Sequence, residues 1–229
     1  MRREILCYGD SNTWGSIPRW KDLGVPSERY DRDTRWTGRV AKLLGPDYHI
    51  IEEGLGGRTT IYDLPEKAYL NGKPYLLPCL LTHRPLDLVV LMLGSNDLQL
   101  AVQPDEAHLG DGIRTLVKII QDTPSCGRGN TPPPVLLLAP TQISLAKGRT
   151  EVYPKFGCEK GRRLSLMFPE VYRQAAGELG CYFLNAADYA GPSEADGLHW
   201  MPESHEKLAE AVAGEIWKIF KDRVSGDGQ

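Results

Sequence analysis

No apolar run in these 229 residues approaches the length needed to span a bilayer, so no membrane-crossing helix and no membrane partner is expected. An excess of charge of one sign is also missing. Lys and Arg number 27 against 30 Asp and Glu, a net charge of -3, which leaves no basic footprint for nucleic acid. Cysteine is sparse, with Cys7, Cys79, Cys126, Cys158 and Cys181 forming an odd set without a CxxC pair. That pattern argues against a disulfide framework or a zinc site, and Cys7 and Cys181 read as small core residues of strands. Neither a GxGxxG after a strand, nor a P-loop, nor HExxH occurs, so no nucleotide, metal or other cofactor is expected. The opening Met1-Arg2-Arg3-Glu4 runs straight into a strand and leaves no room for a signal peptide. These absences predict a reduced, cytoplasmic chain with a single domain over 1–224 and a frayed tail over 225–229.

What is present is an ordinary globular balance, 41% hydrophobic and 25% charged, with enough apolar material for a real core. Strand character appears at Ile5 to Tyr8, Tyr48 to Glu52, Asp87 to Leu93, Val135 to Ala139 and Tyr182 to Leu184. The third of these is continuously apolar, as a central parallel strand covered on both faces should be. Helical spacing appears between them. Trp36, Val40, Leu43 and Leu44 mark one helix; Ile113, Leu116, Val117 and Ile120 mark a second within Asp105 to Gln121. A short apolar helix is expected near Tyr75 to Thr82, another from Arg162 to Leu179, and a last from Glu203 to about Lys221 that turns Leu208, Val212, Ile216 and Ile219 inward. Long loops fill 17–35, 61–85 and 142–162. Strand and helix alternate, which predicts a three-layer α/β/α, doubly wound parallel sheet of about five strands, flavodoxin-like in plan.

The first three strands each end in a small, polar turn: Gly9-Asp10-Ser11, Gly54-Leu55-Gly56-Gly57 and Gly94-Ser95-Asn96-Asp97. In a parallel sheet these ends converge on one edge, where sites of open α/β sheets form. Asp196-Gly197-Leu198-His199-Trp200, ahead of the last helix, adds a carboxylate and an imidazole three residues apart. Such a pair can hold the Nδ1 proton on the carboxylate side and leave Nε2 for a serine hydroxyl, which makes the serine reactive at neutral pH. Ester hydrolysis also needs donors at the developing oxyanion. The Ser11 N–H, a backbone N–H of the glycine turn (Gly57 is the best candidate) and the Asn96 amide can supply three.

In order and spacing, these four blocks resemble those of the SGNH hydrolases, also called GDSL esterases/lipases, over nearly the whole chain. Within that family the likeness is nearest to the short-chain arylesterase/acyltransferase branch, through Cys7-Tyr8-Gly9-Asp10-Ser11 with Thr13-Trp14-Gly15, Arg35-Trp36-Thr37-Gly38, and Glu52-Glu53-Gly54-Leu55 followed by Arg58-Thr59-Thr60. The resemblance implies Ser11 as nucleophile, His199 as base, Asp196 as its partner, and Ser11, Gly57 and Asn96 as oxyanion donors. It further implies small-molecule ester substrates and a homo-oligomer whose neighbouring subunits narrow the entrance. Asn12 replaces the usual leucine after the serine, and Gly56-Gly57 replaces a small non-glycine pair, which leaves open which N–H points at the oxyanion.

Other readings of the same residues stand beside these. Ser11 after a strand also reads as a helix N-cap. Asp10 reads as a buried turn brace, His49 and His83 as structural, and His205 as solvated. Asn12, Trp14 and Trp200 flank the site as substrate-contacting residues, although core packing suits both tryptophans equally well. Arg58 reads as the structural partner of Asp63 or Asp97, with an acidic group of the substrate as the alternative. The expected activity is hydrolysis of small acetyl-type esters through an acyl-enzyme, with acyl transfer to another alcohol if water is excluded. The alternatives are a carbohydrate acetylesterase on the same fold, or a binding module that has kept the loops without the chemistry.

Overall fold

The computed structural model describes residues 2–21 and 26–226. Five strands, β1 (Arg3–Gly9), β2 (Tyr48–Gly54), β3 (Leu88–Met92), β4 (Val135–Ala139) and β5 (Tyr182–Asn185), pair in parallel in the order β2-β1-β3-β4-β5. Among the described residues eight α-helices accompany them: α1 (Ser11–Trp14), α2 (Trp36–Leu44), α3 (Gly72–Thr82), α4 (Asp111–Gln121), α5 (Val152–Lys155), α6 (Glu159–Ser165), α7 (Phe168–Leu179) and α8 (Pro202–Gly226). The chain steps from β1 outward to β2, then crosses back over β1 to β3. That reversal opens a crevice at the carboxyl ends of β1 and β3. Among the described residues no helix is long and apolar enough to cross a membrane.

Successive strand residues face opposite layers, and the core divides accordingly. Leu6 and Tyr8 pack with Leu76 of α3, Ile113 and Leu116 of α4, and Phe168 and Tyr172 of α7. Ile5 and Cys7 pack on the other face with Trp36 and Val40 of α2 and Leu208, Val212 and Ile216 of α8. Ile113, Leu116, Val117 and Ile120 are all fully buried. At about 1.5–3 kcal/mol for each such side chain, packing rather than helix propensity holds α4 in place.

The helical spacing holds with four corrections. Leu43 of α2 is exposed, because the stripe buried against α8 runs through Trp36, Val40 and Leu44. The helix expected from Asp105 starts at Asp111. Asp105 instead closes a separate turn on the His108 backbone N–H (2.9 Å), and Gly110, at φ +92°, sets the new start. The loop 142–162 contains α5 and the start of α6, and the helix expected from Arg162 to Leu179 is split. Pro169 has no N–H to return to Ser165, so α7 begins afresh at Phe168. The last helix runs to Gly226, past the expected stop near Lys221; residues 227–229 of the expected tail lie outside the described residues. The five cysteines are unpaired, with Cys7 buried and Cys181 partly buried, just ahead of β5.

Candidate active site

α1 starts one residue beyond β1, and glycine makes that possible. Gly9 pairs with Gly54 across β1 and β2. A Cβ on Gly9 would lie 2.1 Å from Thr13 Oγ1, and one on Gly54 would lie 2.2 Å from the Trp14 nitrogen. Any side chain at either position would lift the single turn that carries Ser11 off the strand ends. Asp10, not Ser11, is the N-cap: its Oδ1 accepts the Asn12 N–H at 3.0 Å. Ser11 is thereby released from the capping role. Among the described residues its hydroxyl makes no hydrogen bond, and it stays accessible.

The second turn, Leu55 to Arg58, is closed by the Arg58 N–H on the Leu55 carbonyl at 3.1 Å. Gly57 has φ +82°, the value a type II turn needs at its third residue, which explains a glycine where a small side chain was expected. Arg58 is buried and pairs with neither Asp63 nor Asp97. It donates to the carbonyls of Gly9 (3.0 Å) and Glu53 and lies over the Tyr8 ring at 4.2 Å, clamping the ends of β1 and β2.

The third turn is tied to the second. Asn96 Nδ2 donates to the Arg58 carbonyl at 3.2 Å, and Thr60 donates to Asp97 through its N–H (2.8 Å) and its hydroxyl (2.6 Å). Gln99 Nε2 donates to Asn96 Oδ1 at 3.0 Å, which fixes the amide with its NH₂ toward the second turn. One of the two Nδ2 protons is used by Arg58; the other is available to a ligand. Gln99 escaped the sequence reading. Its only signal there is the three-residue step from Asn96 along one turn.

In the fourth block, Asp196 is 1% exposed and accepts three hydrogen bonds. Its Oδ1 takes the backbone N–H groups of Leu198 (3.1 Å) and His199 (2.9 Å), and its Oδ2 stands 2.7 Å from His199 Nδ1. Burial opposes ionisation of Asp196, but the hydrogen bonds and charge of His199 outweigh it and hold the carboxyl below its ordinary range. With Nδ1 engaged, Nε2 is the free nitrogen of His199. The block is joined to α1 by Asn12 Nδ2 donating to the Leu198 carbonyl at 3.3 Å. His199 also lies close enough to Asp10 for its charge to lower the Asp10 pKa.

Two further carboxyls sit beneath the turns. Burial pushes Asp10 up to about 6 and Asp97 up to about 7, and the charge of Asp10 adds to the rise at Asp97. Asp10 is the buried brace the sequence implies.

Three flanking residues differ in role. Trp200 is fully buried, donates from Nε1 to Thr141 Oγ1 at 3.0 Å and packs in the core shared with α2 and α8. It is a core residue. Asn12 is 3% exposed and serves as the clip to Leu198. Trp14 is partly exposed, with the Arg29 guanidinium 5.4 Å from its ring. His205, expected in solvent, is instead wholly buried against Trp200, accepts the Trp36 N–H at Nδ1 (3.3 Å), and is held neutral by burial, which lowers its pKa to about 3. His49 and His83 bond to Glu4 (2.5 Å) and Glu53 (3.0 Å). Cys79 joins Glu53 and His83 in a group whose polar atoms lie within 4.8 Å of one another, a grouping no sequence pattern announced. Within the group His83 is hydrogen-bonded to Glu53, and burial raises the Cys79 thiol to about 12.

A parallel sheet in this order, with these four blocks on its carboxyl edge, defines a hydrolase of the SGNH type, α/β in class. The model of the GDSL-like lipase/acylhydrolase family matches residues 7–207, and the chain belongs to that family. Its structure resembles the native aryl esterase of M. smegmatis, with 34% identity and TM-score 0.87 over 94% of this chain and 99% of that one. It also resembles Est24, a carbohydrate acetylesterase from Sinorhizobium meliloti, with 35% identity and TM-score 0.88 over 95% and 100%. A carbohydrate acetylesterase family member from the same organism aligns at 32% identity and TM-score 0.80 over 93% and 97%. No curated protein is matched by the chain at significant similarity. The protein is a carboxylic ester hydrolase.

Proposed function

We propose that the protein is a serine esterase for small, short-chain acyl esters, acetyl esters first, with Ser11, His199 and Asp196 as its triad. The observation that carries this reading is the buried Asp196 carboxylate 2.7 Å from His199 Nδ1, on a loop clipped to the Ser11 turn through Asn12. Ser11 Oγ attacks the ester carbonyl while His199 Nε2 takes its proton. The oxyanion accepts hydrogen bonds from the Ser11 N–H, the Gly57 N–H and Asn96 Nδ2. Collapse expels the alcohol, which receives the proton from His199, and leaves an acyl-Ser11. Water, deprotonated by His199, then releases the acid and free Ser11. An alcohol in place of that water gives acyl transfer.

A carbohydrate acetylesterase is the second reading, supported by the likeness to Est24. The unpaired cysteines suit a reducing, cytoplasmic setting. A homo-oligomer is supported by Tyr69, Tyr75, Leu77 and Leu81, exposed on and beside α3. Tyr69 and Tyr75 line a cavity of about 600 Å³ that reaches Leu55 of the oxyanion turn, so a second copy seated there would narrow the entrance. Phe156, in the loop 142–162, is buried and takes no part in such a surface.

The experiment is Ser11→Ala tested on nitrophenyl acetate and on sugar acetates, with a fluorophosphonate probe on the unaltered enzyme. Activity should vanish in the variant, and the probe should label Ser11. Full activity in the variant, or labelling elsewhere, removes the triad; faster turnover of sugar acetates selects the second reading.

A further inference from the structure

Beside the oxyanion turn lies a cavity of about 460 Å³ with Gly57 and Gln99 in its wall and Leu64 and Leu70 among its apolar residues. Two of the loops left undetermined by the sequence each send one lysine to it: Lys67 from the loop before α3, and Lys155 from the end of α5. Among the described residues no carboxylate lines this cavity. Neither lysine makes an ion pair among the described residues, whereas Arg149, next to them in charge, is answered by Glu151 at 2.7 Å. Both lysines keep solvent exposure while lining the cavity, and the Lys155 pKa is lowered, first by the protein packed around it and then by the charges of Lys67 and Arg149. Two like charges lining one cavity repel, and an anion between them relieves that repulsion.

We propose that this cavity receives a negatively charged part of the substrate, so that the preferred esters carry a carboxylate. This rests on the esterase reading and names the substrate class of that site. With the ester carbonyl at Gly57, the carboxylate reaches toward Lys67 and Lys155. Lysine ammonium groups are point charges without a fork geometry, so the selection is for charge more than shape. Hydrolysis leaves the carboxylate unchanged, and its attraction adds to ground-state and transition-state binding alike, which places the effect in KM.

The test compares 4-acetoxybenzoate with its neutral counterpart 4-acetoxybenzamide, for the enzyme and for the Lys67→Met/Lys155→Met double variant. At 0.01 M salt the enzyme should favour the anion by about five- to tenfold in kcat/KM, mostly through KM. The preference should fade at 1 M salt, as the screening length drops from about 30 Å to about 3 Å. It should vanish in the double variant and survive in Lys155→Arg. Equal rates at low salt, or a preference that persists in the double variant, overturn the proposal while the esterase reading stands. Hydrolysis of neither ester overturns the esterase reading and this proposal with it.

Discussion

Gln99 Nε2 donates to Asn96 Oδ1 at 3.0 Å, and through that bond a residue outside every recognisable block decides which way the Asn96 amide faces. Both side chains are buried, at 3% and 4% exposure, so water is a poor substitute. Gln99 acts as a positioning residue. Asn96→Ala should lower kcat by roughly 10²–10³, the loss typical of one oxyanion donor, with little change in KM. Gln99→Met should lower kcat by about tenfold, less than the loss of the donor itself, and Gln99→Glu should restore less than Gln99 supplies because a carboxylate cannot donate. Steady-state kinetics on one acetate ester checks the order. A change confined to KM would make Asn96 a ground-state contact.

Removing the base and removing its partner should differ. His199→Ala should cost about as much as Ser11→Ala. Asp196→Ala should cost less in kcat, following the order seen when triads are dissected. It should also destabilise the fold, because the Leu198 and His199 N–H groups lose their buried acceptor. Parallel rate and thermal-melt measurements separate the two effects. A silent Asp196→Ala would move the third role to another residue.

Stability should fall as pH rises from about 4 to about 7. Asp10 and Asp97 have folded pKa values near 6 and 7, raised by burial above the ordinary carboxylate range. The folded state therefore holds protons that the unfolded state has released, and the stability they contribute is full below about pH 4 and lost through the folded values. Asp97→Asn keeps an acceptor for the Thr60 N–H and places an amide beside the Thr60 hydroxyl. The variant should flatten the dependence and raise the Tm at pH 8 by several degrees, on a scale of about 2–4 °C per kcal/mol. An unchanged pH profile counts against the buried-carboxyl account.

Assembly is tested at α3. Leu77→Glu combined with Leu81→Glu should lower the mass measured by light scattering if this face meets a second copy, because each residue is already exposed in the single chain. Rates against acyl lengths from two to twelve carbons should favour acetyl and propionyl in the native assembly. The variant should accept longer chains. A native monomer that prefers long acyl chains refutes both the assembly and the narrowed entrance.

The sequence by itself determined the strands, the amphipathic helices and the four polar blocks, because hydrophobic periodicity and small-residue turns are local signals. Val135–Ala139 and Trp36–Leu44 coincide with the stretches read from pattern alone. Gly9, Gly54 and Gly57 were legible as turn glycines at the strand ends. Only the tertiary structure decided the rest, since burial and partner choice depend on residues far apart in the chain. Trp200 is core because Thr141, 59 positions away, meets its indole N–H. His205 is neutral and buried because α8 docks against Trp36 of α2. Arg58 takes carbonyls and aromatic faces in place of a carboxylate because Thr60 already holds Asp97. Lys67 and Lys155 share a cavity because two loops of no regular pattern fold over the same turn, and no spacing along the chain encodes that meeting.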